Sequence, residues 1–195
     1  PTSVTSIGKF AFDGCTGLTS VEFPHIETIG FYAFRNCSNL AFAIIGDGLS
    51  TIEEYTFSGC SRLSKLTIGS GVENIGDYAF KGCLLTKIDC RADFPPTCGT
   101  DVFTITKQNC KLRVPEESID LYKVHTDWCD FFIEALPTAV SSIALNYTTY
   151  ALKVIGQSIQ LTATILPADA SDKTVTWTSS DESVCTVSST GLVVA

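Results

Sequence analysis

The chain has 195 residues, 45% of them apolar and 17% charged, which is enough for one long domain or two short ones with real cores. Its net charge of −8 argues against nucleic acid or anionic lipid as partner, because either demands a basic patch. No run of about 18 apolar residues occurs, so no membrane-spanning helix is expected.

The first half repeats. FAFDGC at 10–15, YAFRNC at 32–37, YTFSGC at 55–60 and YAFKGC at 78–83 follow one another at spacings of 22, 23 and 23 residues. A fixed period of this length means that each unit cannot bury its apolar face alone, so the units must stack into a solenoid. Ile7, Ile29, Ile52 and Ile75 form one column, and Leu18, Leu40 and Leu63 a second, with Leu85 one residue early. Val21, Ala43, Leu66 and Ile88 alternate with Phe23, Ile45, Ile68 and Cys90, the pattern of a short strand with two inward residues.

In the aromatic segment, Phe12, Phe34, Phe57 and Phe80 are expected to be a buried column, each worth about 1.5–3 kcal/mol. One turn of helix per unit is expected there, held by packing between neighbours. Gly14, Asn36, Gly59 and Gly82 precede the ladder cysteines, and Gly and Asn best tolerate the left-handed backbone that ends such a turn. Phe103 lies 23 residues after Phe80, so a degraded fifth unit continues the register.

Together these features closely resemble the BspA-like, or Treponema-type, leucine-rich repeat of bacterial surface proteins, over residues 4 to about 103. Two positions depart from the pattern: Glu53 replaces the glycine found at Gly8, Gly30 and Gly76, and Ala43 is small in a column of large residues. The resemblance implies a right-handed solenoid of one short strand and one helical turn per repeat. The repeats run at about 4–25, 26–48, 49–71 and 72–93, with the degraded unit and a cap at 94–137.

Nine cysteines are present, of which Cys15, Cys37, Cys60 and Cys83 occupy one position in successive units. Parallel side-chain vectors disfavour the disulfide dihedral, so this column is expected to be buried free thiols. Cys90, Cys98, Cys110, Cys129 and Cys185 leave a bridge open, with no pairing deducible from their order.

After the Pro95-Pro96 break, KLRVP at 111–115 is expected to be the final strand of the array, and Glu116 to Val124 a helix started by a proline and two acids. The segment resembles the closing unit of this repeat family. Tyr122 and Lys123 match its Tyr-Lys pair, and Trp128, Phe131 and Phe132 its aromatic tail.

From Val140 the pattern is all-β. Ile159, Leu161, Ala163 and Ile165 alternate with polar residues, Val175 and Trp177 alternate with threonines, and 167–169 and 179–181 supply turns. This stretch resembles the group-2 bacterial immunoglobulin-like domain through Ile143, Leu145, Gly156, Leu161, Pro167, Ala170, Val175, Trp177, Ser179–Asp181 and Gly191–Val193. Residues 138–195 are therefore expected to be an Ig-like sandwich that lacks its last strand, with Cys185 inward beside Val187. Because the chain enters its first repeat partway, at Val4, and contains no methionine, further sequence upstream is expected.

Candidate catalytic or metal-ligating residues are few. His125 and Cys129 are four apart, yet a metal site needs three or four ligands and a nucleophile needs an oriented base. His25 reads as a solvated turn residue. Glu53-Glu54 and Glu116-Glu117 are adjacent pairs that face different directions, unlike the opposed carboxylates of a glycosidase. Neither catalysis nor a cofactor is expected.

A binding surface is legible instead. The outward strand positions are Ser20, Glu22, Phe42, Ile44, Lys65, Thr67, Lys87, Asp89 and Arg91, an apolar spot beside a polar, mixed-charge strip. The resemblance implies a non-enzymatic cell-surface or secreted bacterial protein that adheres to an extracellular or host protein, with the Ig-like domain as spacer or second module. A carbohydrate-binding accessory protein and a purely structural stalk are the alternatives, and self-association through the open edge of the first repeat is a further expectation.

Overall fold

A computed structural model describes residues 3–104, 107–168 and 170–195. The chain divides into two compact units, Pro1–Leu136 and Pro137–Ala195.

In the first unit, strands of two and four residues alternate along the chain. They are β1 (Ser6–Ile7), β2 (Ser20–Phe23), β3 (Thr28–Ile29), β4 (Phe42–Ile45), β5 (Thr51–Ile52) and β6 (Lys65–Ile68). β7 (Asn74–Ile75), β8 (Lys87–Cys90), β9 (Thr97–Cys98) and β10 (Lys111–Val114) follow. The cap adds a 3₁₀ turn at Glu116–Ser118, helix α1 (Ile119–Val124) and strand β11 (Phe132–Ala135). The long strands form one six-stranded parallel sheet in the order β2, β4, β6, β8, β10, β11. KLRV is thus not the last strand: Lys111–Val114 pairs onward with Phe132–Ala135.

The short strands make a second side of the solenoid, as β1–β3 and β5–β7–β9. The break between β3 and β5 falls where Glu53 replaces glycine. A Cβ at Gly30 would lie 2.6 Å from the Lys9 nitrogen of the preceding coil, and one at Gly76 2.7 Å from that of Glu54. Glycine permits that approach and a side chain prevents it. Thr56, buried where three other units have alanine, donates its hydroxyl to the Glu53 carbonyl at 2.6 Å.

The aromatic segments are runs of turns, not helix. Ala33, Arg35 and Cys37 donate N–H to carbonyls three residues back, while Tyr32, Phe34 and Asn36 between them donate to Glu54, Thr56 and Ser58 of the next coil. A helix would keep every N–H for itself, whereas this alternation gives half of them to the stack. The expected left-handed positions hold, with φ of 70°, 59°, 77° and 77° at Gly14, Asn36, Gly59 and Gly82. Phe10, Tyr32, Tyr55 and Tyr78 are left-handed as well, at φ 56–61°. Their rings stack at 4.9 Å from coil to coil. Such a pair contributes about 0.5–1.5 kcal/mol, of the same order as the roughly 1–2 kcal/mol that a left-handed backbone costs.

The core is a set of stacked columns. Phe12, Phe34, Phe57, Phe80 and Phe103 stack with centroids 5.1–5.7 Å apart. Phe34, Phe57 and Phe80 are fully buried, but Phe12 is 38% exposed and Cys15 half-buried, contrary to expectation, because among the described residues Phe12 stacks on Phe34 alone, whereas Phe34, Phe57 and Phe80 have a ring on each side. At the other end Trp128 and Phe131 meet Phe103 edge-on at 5.3 Å and close the stack. Trp128 donates Nε1–H to the Pro96 carbonyl at 2.8 Å, and Tyr122 its hydroxyl to that of Ala92 at 2.9 Å. All nine cysteines are free thiols.

The second unit has two antiparallel sheets. One pairs β12 (Ser142–Leu145) with β14 (Ala163–Leu166), and the other joins β13 (Ser158–Gln160), β16 (Leu192–Val194) and β15 (Thr186–Val187). Ile159, Leu161, Ala163 and Ile165 alternate in burial as expected, and Cys185 and Val187 are likewise half-buried. Val175 and Trp177 keep the alternation but form no strand, because they have no ladder partner among the described residues. Trp177 packs on Gly191, whose Cβ would sit 3.0 Å from the indole and whose φ is 86°, so both space and backbone require glycine there. The turn expected at 167–169 ends on Asp169, outside the described residues.

Candidate functional site

The outer face of the six-stranded sheet is fixed by register. Ser20, Phe42, Lys65, Lys87, Lys111 and Phe132 are successive cross-strand partners, and Glu22, Ile44, Thr67, Asp89, Arg113 and Glu134 make the row beside them. Inward residues such as Leu66, Ile88 and Leu112 bury fully, which pins each strand and aims these neighbours outward.

All nine sequence-predicted residues lie on this side, eight in the two rows and Arg91 just past the end of β8, where its N–H bonds the Ile68 carbonyl. Ser20, Glu22, Phe42, Lys65 and Arg91 are exposed, while Ile44, Thr67, Lys87 and Asp89 are half-buried. Lys111, Arg113, Phe132 and Glu134 extend the face and were missed. The alternation of KLRV and of FIEA carried the signal, but the second of these had been read as cap tail.

Arg113 reaches across to Asp89 with two bonds of 2.6 Å, and the carboxylate holds the guanidinium pKa above its ordinary value. Lys87 also lies 3.5 Å from Asp89, and Lys111 3.5 Å from Glu134. Near Arg91, the Ser70 N–H holds the Asp47 carboxyl below the usual range, with a smaller contribution from Arg91 itself. A recess of about 320 Å³ opens on this face, bounded by Phe42, Ile44, Lys65, Thr67, Lys87 and Asp89.

Two other recesses are larger. One of about 680 Å³ lies at the first coil, lined by Ile7, Phe12, Leu18, Phe34 and His25 among others. One of about 510 Å³ lies in the second unit, between Leu145, Tyr150, Leu161 and Val193. Neither Glu53-Glu54 nor Glu116-Glu117 lines any of the three. His125 accepts the Asp127 N–H at Nδ1, and Cys129 bonds its backbone to the His125 carbonyl. No cluster of three metal-ligating side chains occurs among the described residues, and no helix among them is long and apolar enough to cross a membrane.

Residues 1–110 match the BspA type leucine-rich repeat region in six copies. The chain belongs to the BspA-type leucine-rich repeat family. Residues 139–195 of this BspA-type chain match the bacterial Ig-like domain of group 2, so an Ig-like domain follows the repeats. It is similar to a leucine-rich repeat protein from Bacteroides ovatus, at 34% identity and a TM-score of 0.49 over 57% of this chain and 28% of that one. A leucine-rich cell surface protein from Faecalibacterium prausnitzii is 28% identical, with a TM-score of 0.45 over 56% of this chain and 33% of that one. An alpha-L-arabinofuranosidase from Bifidobacterium longum subsp. longum is 46% identical over 59 residues, or 30% of this chain and 6% of that protein. The chain spans a third or less of the length of each.

Proposed function

We propose that this chain is a non-enzymatic binding module of a cell-surface or secreted bacterial protein, and that it adheres to an extracellular or host protein through the outer face of the six-stranded sheet. The observation that carries this reading is the apolar pair Phe42 and Ile44 at the rim of the recess, with Phe42 45% exposed beside a mixed-charge strip. Exposed aromatics in a polar surround are where binding energy concentrates at protein interfaces. The Ig-like domain serves as spacer or second module.

The test is binding of the full chain to a panel of extracellular-matrix proteins and glycans, repeated with Phe42→Ala combined with Ile44→Ser. Neither side chain belongs to the buried core, so the variant should lose binding at an unchanged melting temperature. Unchanged affinity would move the site elsewhere, and no saturable ligand would favour a structural stalk. The likeness to an arabinofuranosidase favours a second reading, a carbohydrate-binding accessory module. Saturable binding to glycans alone would establish that reading instead.

A further inference from the structure

The sheet face carries a charge pattern that its fold does not require. Register makes Lys65, Lys87 and Lys111 direct cross-strand neighbours, on strands about 4.8 Å apart. Like charges placed opposite one another destabilise a sheet. The repeat does not force lysine here, since the same position holds Ser20 in β2 and Phe42 in β4. Five of the chain's 13 Lys and Arg residues lie on or beside this face, namely Lys65, Lys87, Arg91, Lys111 and Arg113, against the carboxylates Glu22, Asp89 and Glu134 and, near Arg91, Asp47. On a chain of net charge −8 this is a local reversal of sign.

The carboxylates present are largely engaged. Arg113 takes both oxygens of Asp89, and Glu134 lies beside Lys111. Lys65 is exposed and has no carboxylate partner among the described residues. It stands between Phe42 and Lys87 at the recess, so an unneutralised ammonium and an apolar wall border the same space of about 320 Å³.

We propose that this face takes an acidic protein segment, with one apolar side chain in the recess against Phe42 and Ile44 and a flanking carboxylate on Lys65. The inference rests on the reading that the sheet face binds protein, and it adds the chemistry of the partner. A peptide supplies the apolar group and the anion from adjacent residues. An anionic glycan supplies only the charge, and a nucleic acid would have to approach a chain that repels it overall.

A random peptide library displayed on phage is selected against the full chain at low ionic strength. The most enriched peptide is then titrated by fluorescence anisotropy against the chain, Lys65→Glu and Phe42→Ala, with heparin as the sulfated-glycan probe. Selected sequences should concentrate Asp and Glu around an aromatic or aliphatic residue. Affinity should fall roughly tenfold in Lys65→Glu and weaken with added salt, as expected when an interfacial charge pair is reversed. Lys65 is exposed, so equal melting temperatures should show that the variant folds. Neutral or basic peptides that depend on Phe42 but not on Lys65 would overturn the acidic partner and leave the binding face standing. Peptides indifferent to both substitutions, or none selected, would overturn the face reading and this inference with it. Lys65-dependent binding of heparin without any such peptide would assign the row to a glycan and overturn the proposal.

Discussion

Each buried ladder thiol has a definite partner. Cys37, Cys60 and Cys83 donate S–H to the carbonyls of Phe12, Phe34 and Phe57 one coil back, at 3.1, 3.1 and 3.3 Å. Burial pushes the thiol pKa of Cys60 and of Cys110 up to about 12. The unfolded chain loses those protons near pH 8.5, whereas the folded chain keeps them. Stability is therefore full below that value and falls as pH rises from about 8.5 to 12, by about 1 kcal/mol per pH unit for each such thiol. Urea titrations at stepped alkaline pH should show the midpoint falling, and Cys60→Ala should make the fall shallower. At neutral pH the native chain should resist thiol reagents at Cys37, Cys60 and Cys83 and react at exposed Cys129, with denaturant releasing the rest. A melting temperature that drops on reduction would instead mean that disulfides hold the fold.

Position within the stack also sets the cost of emptying an aromatic site. Phe57 is fully buried between Phe34 and Phe80, so Phe57→Ala should destabilise by about 3–5 kcal/mol. Phe12 has the same sequence context but stacks on one side only and is 38% exposed, so Phe12→Ala should cost clearly less in the same denaturation assay. Equal losses would mean that the column is not what stabilises the repeats.

At the scale of elements, the sequence made the long strands and the period plain, because inward and outward residues alternate over four positions where only one face is buried. The short strands escaped notice because two residues such as Thr51–Ile52 carry no period of their own and show only as an isoleucine column. The turns were mistaken for helix because aromatic residues were not expected in left-handed backbone, and what holds Tyr32, Tyr55 and Tyr78 there is stacking between coils, invisible within any one of them. The same reason hid the far end of the candidate face: the outward place of Phe132 and Glu134 follows from pairing with Lys111 and Arg113, not from their own segment. Glu53 was visible as an anomaly, but its consequence, a ladder broken between β3 and β5, depends on how closely two backbones approach. Gly76→Ala should destabilise by more than about 1 kcal/mol, because its new methyl group would meet the Glu53–Glu54 backbone at 2.7–3.1 Å and the neighbouring coil must shift. Glu53→Gly should cost little or stabilise, and amide exchange at Thr51 and at position 53, the equivalents of Thr28 and Gly30 that donate to the preceding coil, should slow if the missing ladder then forms.

At the scale of the whole molecule, the two units differ in how much apolar surface they bury. The repeat unit has a continuous core from Phe23 to Phe131, whereas in the second unit Ala170 is the one hydrophobic residue fully buried among those described. Ile143, Tyr150, Val154, Ile155 and Val184 of that unit are more than half exposed. Hydrophobic burial is the main term opposing chain entropy, so the second unit should be the less stable by a wide margin. Calorimetry of the full chain should then resolve two transitions, the lower belonging to the Ig-like unit. Trp177→Ala, which removes the ring packed on Gly191, should lower the first transition and leave the second in place, while Phe57→Ala should do the reverse. A single transition that both substitutions shift together would mean that the units fold as one cooperative body, since only shared contacts would let a cavity in the repeat stack unfold a sheet in the other unit.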